Sequence, residues 1–123
     1  DIADDDPVRV SLLNQLAEKF AANKDFDYAI SAYETAISES TRILGAEHKT
    51  TFITRYNHAV TYAEIEQTDK SIALLKQLIA DMKQTLEPDD PIFDRMYKGI
   101  CVLYENFGGG EEVAALLEQL KHS

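Results

Sequence analysis

The feature of this sequence that most constrains its fold is a repeat of 42 residues. Aromatic residues mark the repeat at Phe20, Tyr62 and Tyr104, which lie 42 residues apart. Several matching triples in one register, without a gap, indicate three copies of one structural unit. Small or apolar residues occupy the other matching positions, which are Ala17, Ala59 and Cys101; Ala29, Ser71 and Val113; Tyr33, Leu75 and Leu117; and Ala36, Leu78 and Leu120.

Each copy has the pattern of a helical hairpin. Apolar residues recur three and four positions apart, which is helical spacing, and no sustained two-residue alternation indicates strands. Turns rich in Asn, Asp or Gly separate the helices, at 23–25, 67–69 and 108–110. In the first helix this spacing predicts a core side made of Leu13, Leu16, Ala17 and Phe20. The expected fold is all-α, with helices over about 7–22, 26–44, 49–65, 69–86, 91–106 and 111–121.

The starts of the first helices also repeat. Asp6-Pro7 and Asp90-Pro91 are separated by two periods, and each pair stands directly before a predicted first helix. Aspartate accepts hydrogen bonds from the free amides of a first turn, and proline suits the first helical position. His48 occupies the equivalent place in the second copy and is not expected to cap. We therefore expect that helix to start raggedly, or to use Thr50 or Thr51 as its cap.

Composition narrows the class of protein. The 123 residues, of which 45% are hydrophobic and 28% charged, are typical of one folded domain. A net charge of -10 repels phosphate groups and argues against nucleic acid and anionic membranes as partners. No apolar run approaches the roughly 20 residues of a spanning helix. The single cysteine, Cys101, suits a reducing compartment, so we expect a cytoplasmic protein.

The residues that could carry chemistry do not form a catalytic or metal-binding pattern. His48, His58 and His122 lack the spacing of a metal-binding set, and His58 is expected to pack in the core. Cys101 falls at a small-residue position and is expected to be a buried, unreactive thiol. The glycines at 108–110 are interpreted as a helix terminator, because the lysine and hydroxyl residue of a phosphate loop are missing. We expect no enzyme activity, no metal and no cofactor.

The stretch AEKFAANKDFDYAISAYETAI, at 17–37, resembles a tetratricopeptide repeat. The stretches LGAEHKTT and YNHAVTY are similar to the 42-residue variant found in kinesin light chains and many bacterial regulatory proteins. The resemblance implies a right-handed superhelix (solenoid) of three hairpins and one domain over 1–123, in repeats of about 7–48, 49–90 and 91–123. The start at Asp1, without methionine, suggests a fragment of a longer protein. The residues at the family's signature spacings are Ala17, Phe20, Phe26, Ala29, Tyr33 and Ala36.

For function, the resemblance implies a non-catalytic protein-binding scaffold. First helices line the concave face in this family, where they would hold a peptide or partner segment. On that face we expect Tyr56 to be the anchor, with Arg95 and Lys98 supplying charge to an acidic group. The full set of expected contacts is Asn14, Tyr56, Asn57, Val60, Arg95, Lys98, Val102 and Asn106.

Two other functions stay open. The last helix has an apolar stripe and no capping helix follows it, whereas the ends of a solenoid are normally polar. Two chains could meet there and form a homo-oligomer. Alternatively, the repeats could be the sensor or regulatory part of a larger signalling protein. The stripe proposed for self-association consists of Val113, Leu116, Leu117 and Leu120.

Overall fold

The computed structural model describes residues 4–107 and 110–121, with the side chains of 4–105 and 111–120. This part of the chain contains six α-helices and no strand, which confirms the all-α fold class. Each helix begins and ends within one residue of the bounds expected from periodicity. The turn expected at 108–110 falls largely outside the described residues. The helices are α1 (Val8–Ala22), α2 (Phe26–Ile43), α3 (Lys49–Glu64), α4 (Thr68–Thr85), α5 (Pro91–Phe107) and α6 (Gly110–Lys121).

The chain divides into two compact units, Asp1–Thr61 and Tyr62–Ser123, and the division falls within α3. In the first unit, the core between α1 and α2 is built from small side chains around one aromatic ring. Ala17 and Ala29 are fully buried and lie in one cluster with Ala32 and Tyr33. Alanine at these positions lets the two helix backbones approach closely, and the tyrosine ring fills the remaining space.

One of the core positions expected in α1 is wrong, because its side chain is exposed. Leu16 is 46% exposed, whereas Val10, which was not assigned to the core, is 1% exposed. Val10 and Ala17 are seven residues apart and therefore share one side of the helix. Leu16 belongs to a neighbouring row that faces away from this core. Helical spacing alone could not distinguish the two rows, because both are apolar.

Ionic contacts tie the start of α1 to the end of α2. Glu39 accepts a hydrogen bond from Arg42 at 2.8 Å and another from Arg9 at 3.1 Å. These two guanidinium groups, Arg42 first, hold the pKa of Glu39 below its usual range. Arg42 also donates to the backbone oxygen of Asp4, so the chain before α1 is fastened to α2.

A pair of buried hydroxyl groups joins α2 to α3. The Oγ atoms of Ser40 and Thr51 are 2.5 Å apart, and Thr51 Oγ1 donates to the backbone oxygen of Gly45 at 2.8 Å. Thr51 has only one hydroxyl proton, which Gly45 receives, so Ser40 must donate its own proton to Thr51. The connection between the helices is thus held by hydrogen bonds of defined direction.

The first helix of each repeat, which is α1, α3 or α5, begins in the same way. Asp6 Oδ1 accepts from the amide of Val8, and Asp90 Oδ1 accepts from the amide of Ile92, both at 3.0 Å. His48 Nδ1 accepts from the amide of Thr50, also at 3.0 Å. Helix α3 therefore starts in order at Lys49, and the expected ragged start is wrong. In α3 the imidazole nitrogen of His48 replaces the carboxylate oxygen as the acceptor for the amide of the residue two positions later.

The turns inside the first two hairpins share an unusual backbone angle. Lys24 has φ 64° and Glu66 has φ 65°, and the two are one period apart. This left-handed conformation costs a residue with a Cβ about 1–2 kcal/mol. The second turn lies at 65–67, slightly earlier than the 67–69 expected, because α4 already starts at Thr68.

The second unit has a larger aliphatic core. Leu75, Leu78, Ile79 and Met82 of α4 are fully buried, as is Ile100 of α5. At the edge of this core the hydroxyl of Tyr104 donates to Ser71 Oγ at 3.4 Å, which links α5 to α4. Burial raises the pKa of the Tyr104 hydroxyl. The aromatic landmarks Tyr62 and Tyr104 are both buried, as the repeat register predicts.

Candidate interaction surfaces

In the first unit, one side of α3 is open to solvent. Ile53 is 40% exposed, and Tyr56, Asn57 and Val60 are half-buried. Positions 53, 56 and 60 share one helix face because they are spaced by three and four residues. We call Ile53, Tyr56 and Val60 the α3 face. It presents two aliphatic side chains and a phenol ring on a helix whose other side is buried.

Asn14 on α1 is half-buried and engaged within the fold. Its Oδ1 accepts a hydrogen bond from Thr54 Oγ1 at 3.1 Å, and Thr54 Oγ1 also lies 2.8 Å from the backbone oxygen of Thr50. Asn14 therefore links α1 to α3. A partner could reach its amino group, but its carbonyl oxygen already has a protein donor.

In the second unit, α5 presents the equivalent positions one period later. Arg95, Lys98 and Val102 are all exposed, and we call these three residues the α5 face. Lys98 Nζ lies 3.1 Å from Asp94 Oδ2, and Glu105 is also exposed. The expected basic surface is thus balanced by neighbouring acids, which is a correction to the sequence interpretation. The side chain of Asn106 lies outside the described residues.

The apolar stripe of α6 is not the uncovered surface that was expected. Val113, Leu116 and Leu120 are 7%, 0% and 3% exposed, and Leu117 is half-buried. These residues contribute to the core of the second unit, where α6 packs on α4 and α5. These side chains are therefore covered within the second unit and need no further molecule to cover them. A self-association surface made of these side chains would require α6 to leave its place.

An apolar row that sequence reasoning missed lies on α1. Val8, Leu12 and Leu16 are 41%, 47% and 46% exposed. They are spaced by four residues, so they form one continuous row along the helix. The signal is present in the sequence, but the core side predicted for α1 includes Leu16 and gives Val8 and Leu12 no role. We call these three residues the α1 stripe.

The potentially reactive side chains are dispersed. His58 is 8% exposed, and its Nε2 lies 3.5 Å from Glu34 Oε2. Cys101 is half-buried rather than buried. Within residues 4–107 and 110–121, no three His, Cys, Asp or Glu side chains are grouped as a metal site would require. His122 lies outside the described residues.

The acidic pairs act at helix starts. An open hollow of about 370 Å³ next to the start of α5 is lined partly by Asp89, Asp90 and Asp94. Asp90 caps the helix and Asp94 is paired with Lys98, so two of these three carboxylates already have protein partners. None of the helices in the described part of the chain combines the length and apolar character needed to cross a membrane.

Repeated helical hairpins with equivalent caps, turns and buried positions define a helical-repeat protein. A family model described as tetratricopeptide repeat matches residues 8–84, and the chain belongs to that family. Proteins built from these repeats generally mediate protein–protein interactions. A comparison with curated protein sequences found no match.

Two solved structures are similar in fold. One is the crystal structure of the nearly identical TPR-like repeats of a putative kinesin light chain from Podosopora anserina, with 23% identity and a TM-score of 0.75. The other is a point variant of those repeats, also 23% identical, with a TM-score of 0.77. In each case the alignment covers 98% of this chain and 57% of the other. At this identity the likeness shows the fold alone. The present chain spans little more than half of the length of each matched chain.

Proposed function

We propose that this chain is a non-catalytic module that binds a peptide or partner segment on the exposed faces of its first helices. The observation that carries the proposal is the equivalence of the α3 face and the α5 face. The same three positions of the repeat are accessible in both helices, although two of the three side chains differ. A repeat that keeps a surface open while varying its chemistry is typical of a binding scaffold.

The two faces would contribute different contacts. On α3, Tyr56 offers a large ring with a hydroxyl group, flanked by Ile53 and Val60, which is the composition of an interface anchor. On α5, Arg95 is exposed and has no ion pair among the described residues, whereas Lys98 is shared with Asp94. An acidic group of a partner would meet Arg95 first and would compete with Asp94 for Lys98.

The remaining expected contacts have supporting roles in this proposal. Asn57 is half-buried beside Tyr56, and Asn14 is engaged with Thr54. Val102, which is 60% exposed, is the apolar member of the α5 face. A cytoplasmic setting belongs to the same proposal, since the single cysteine suits a reducing compartment.

The experiment is affinity capture with the full-length protein, identification of a captured partner, and titration calorimetry with that partner in purified form. The double variant Tyr56→Ala, Lys98→Ala is expected to weaken binding about tenfold or more, which is the effect of removing one interface anchor. The matched control is Tyr28→Ala, Lys76→Ala, which removes an exposed tyrosine and an exposed lysine from α2 and α4.

Unaltered affinity in the double variant, or an equal loss in the control, would show that the α3 and α5 faces are not the binding surface. Thermal unfolding of both variants, followed by circular dichroism, separates loss of contact from loss of fold.

A further inference from the structure

The hollow beside the start of α5 has no role in the proposed function. Its volume is about 370 Å³, near the lower end of the roughly 300–1,000 Å³ of small-ligand sites. A space of this size suits one long side chain better than a large cofactor. We call it the α5 hollow. It lies within the second unit and is lined by α5, by the end of α6 and by the connection at 86–90.

Part of the lining of the α5 hollow is apolar. Phe93 and Leu120 are buried, and the ring of Tyr97 is half-buried. Phe93 and Tyr97 are four residues apart, so their rings lie on the same side of α5. A half-buried aromatic ring that borders open space offers a surface on which a flat group can stack.

The connection that borders the hollow is held in a defined shape. The amide of Asp90 donates to the backbone oxygen of Glu87 at 3.0 Å, which closes a turn around Pro88 and Asp89. Asp90 also caps α5 with its side chain. The position of Asp89 beside the hollow is therefore set before a ligand arrives, and this lowers the entropic cost of binding.

The α5 hollow is negatively charged. Its lining includes Asp89, Asp90 and Asp94 and, among the described residues, no lysine or arginine. In the described part of the chain Asp89 has no hydrogen bond or ion pair, whereas Asp94 shares its charge with Lys98 in an exposed pair. The whole protein carries 22 acidic and 12 basic residues, so its field also attracts cations.

This lining suits an organic cation better than a metal ion. Among the residues that the structure describes, no three carboxylates converge as metal ligands must. Carboxylates spread around an aromatic ring suit arginine, because its guanidinium group has several separated donors and stacks on ring faces. The aliphatic stem of arginine can lie along apolar side chains. Lysine matches the charge, but its donors radiate from one atom and it has no flat group.

We propose that the α5 hollow is a docking site for an arginine side chain of a partner protein, which pairs with Asp89 and Asp94 and stacks on Tyr97. The arginine competes with Lys98 for Asp94, and both of those side chains are exposed enough to rearrange. Free arginine fits this site less well than a peptide-borne side chain, because its own carboxylate would approach three aspartates.

The test follows Tyr97 by fluorine NMR after incorporation of 3-fluorotyrosine at the six tyrosines. The Tyr97 resonance is assigned from its loss in Tyr97→Phe. The probe is the blocked tripeptide acetyl-Gly-Arg-Gly-amide, which should shift this resonance saturably. Counterparts with citrulline or lysine in place of arginine should bind about fivefold or more weakly, which is the effect of losing one exposed ion pair or its equivalent in stacking. No shift, or equal binding of either counterpart, overturns the proposal.

The double variant Asp89→Asn, Asp94→Asn should bind the arginine peptide about fivefold or more weakly than the parent. Asp90 is left unchanged because it caps α5. The matched control is Glu105→Gln, Glu111→Gln, which removes the same charge from exposed positions outside the hollow. Unaltered affinity in the double variant, or an equal loss in the control, would show that the hollow is not the site. Equal or tighter binding of free L-arginine would show a small-molecule site and overturn the assignment to a partner protein.

Discussion

Replacement of His48 probes the cap of α3 with the least disturbance to the core, because the side chain is exposed and makes one defined contact. Its Nδ1 accepts a hydrogen bond from the amide of Thr50 at 3.0 Å. A ring nitrogen can accept only while it is unprotonated, since both nitrogens of the imidazolium ion are donors. In this cap, Nδ1 is therefore the unprotonated nitrogen of the ring.

The magnitude follows from the geometry of the cap. Removing a capping side chain costs about 1 kcal/mol, so His48→Ala should destabilise the protein by about that amount at pH 7.5. An aspartate at this position restores the acceptor found at Asp6 and Asp90, and its charge adds about 0.3–1 kcal/mol at a helix N-terminus.

The assay is thermal unfolding followed by circular dichroism at pH 7.5. For a chain of this size, 1 kcal/mol corresponds to a shift in Tm of about 4 °C. Amide exchange at Thr50 should accelerate in His48→Ala, and Glu47→Ala, which removes a neighbouring exposed side chain, should change stability by less than about 0.5 kcal/mol. The reasoning is refuted if His48→Ala and the parent unfold at the same temperature at pH 7.5, or if His48→Asp unfolds at a lower temperature than the parent.

Four further predictions concern a turn, an ionic contact, a partly buried carboxyl group and the core. Glu66→Gly should raise Tm by a few degrees, because glycine relieves about 1–2 kcal/mol of left-handed strain. The greater conformational entropy of glycine in the unfolded chain offsets part of this gain in stability. An unchanged or lower Tm would contradict the presence of strain at Glu66. The pKa of Glu39 is lowered by its arginine partners, so Glu39→Gln should lower stability at pH 7, and its difference from the parent should fade as the pH drops through the pKa of the folded state. Burial raises the pKa of Glu64, so Glu64→Gln should be more stable than the parent at pH 7 and equally stable in acid. Urea unfolding from pH 3 to 7 tests the opposite effects expected for the Glu39 and Glu64 variants. Leu78→Ala should lower the free energy of unfolding by about 2–5 kcal/mol, because the side chain is fully buried. Leu16→Ala in the isolated 123-residue chain should lower it by less than about 1 kcal/mol. Similar losses in the two variants would mean that the burial pattern is wrong.

The helices and the positions of most core residues could be predicted because the three copies share one register. Ala17, Ala59 and Leu75 are fully buried at positions that the register had marked. The choice between Val10 and Leu16 could not be predicted, because it depends on how far α1 is turned about its axis as it packs on α2. That rotation is set by contacts with alanines on another helix, which helical spacing within α1 does not encode.

The exposure of the α3 and α5 faces could be predicted, but the ion pair of Lys98 was not expected. The accessible faces of α3 and α5 were expected from the register, and their role in binding stays a prediction. The pairing of Lys98 with Asp94 could have been expected, since residues four apart on a helix are neighbours. The burial of Leu116 and Leu120 depends on the placement of α6 against α4 and α5, and the apolar pattern of α6 does not specify that placement.

The buried contact between Ser40 and Thr51 links two positions whose changes during evolution should be correlated. Ser40→Ala alone would leave Thr51 without its donor in a buried place, and such a loss is costlier than removing both polar partners. If Thr51 became valine at the same time, the backbone oxygen of Gly45 would still accept from the amide of His48 at 3.3 Å. Relatives should therefore carry either two hydroxyl residues or two apolar residues at these positions, and mixed pairs should be rare.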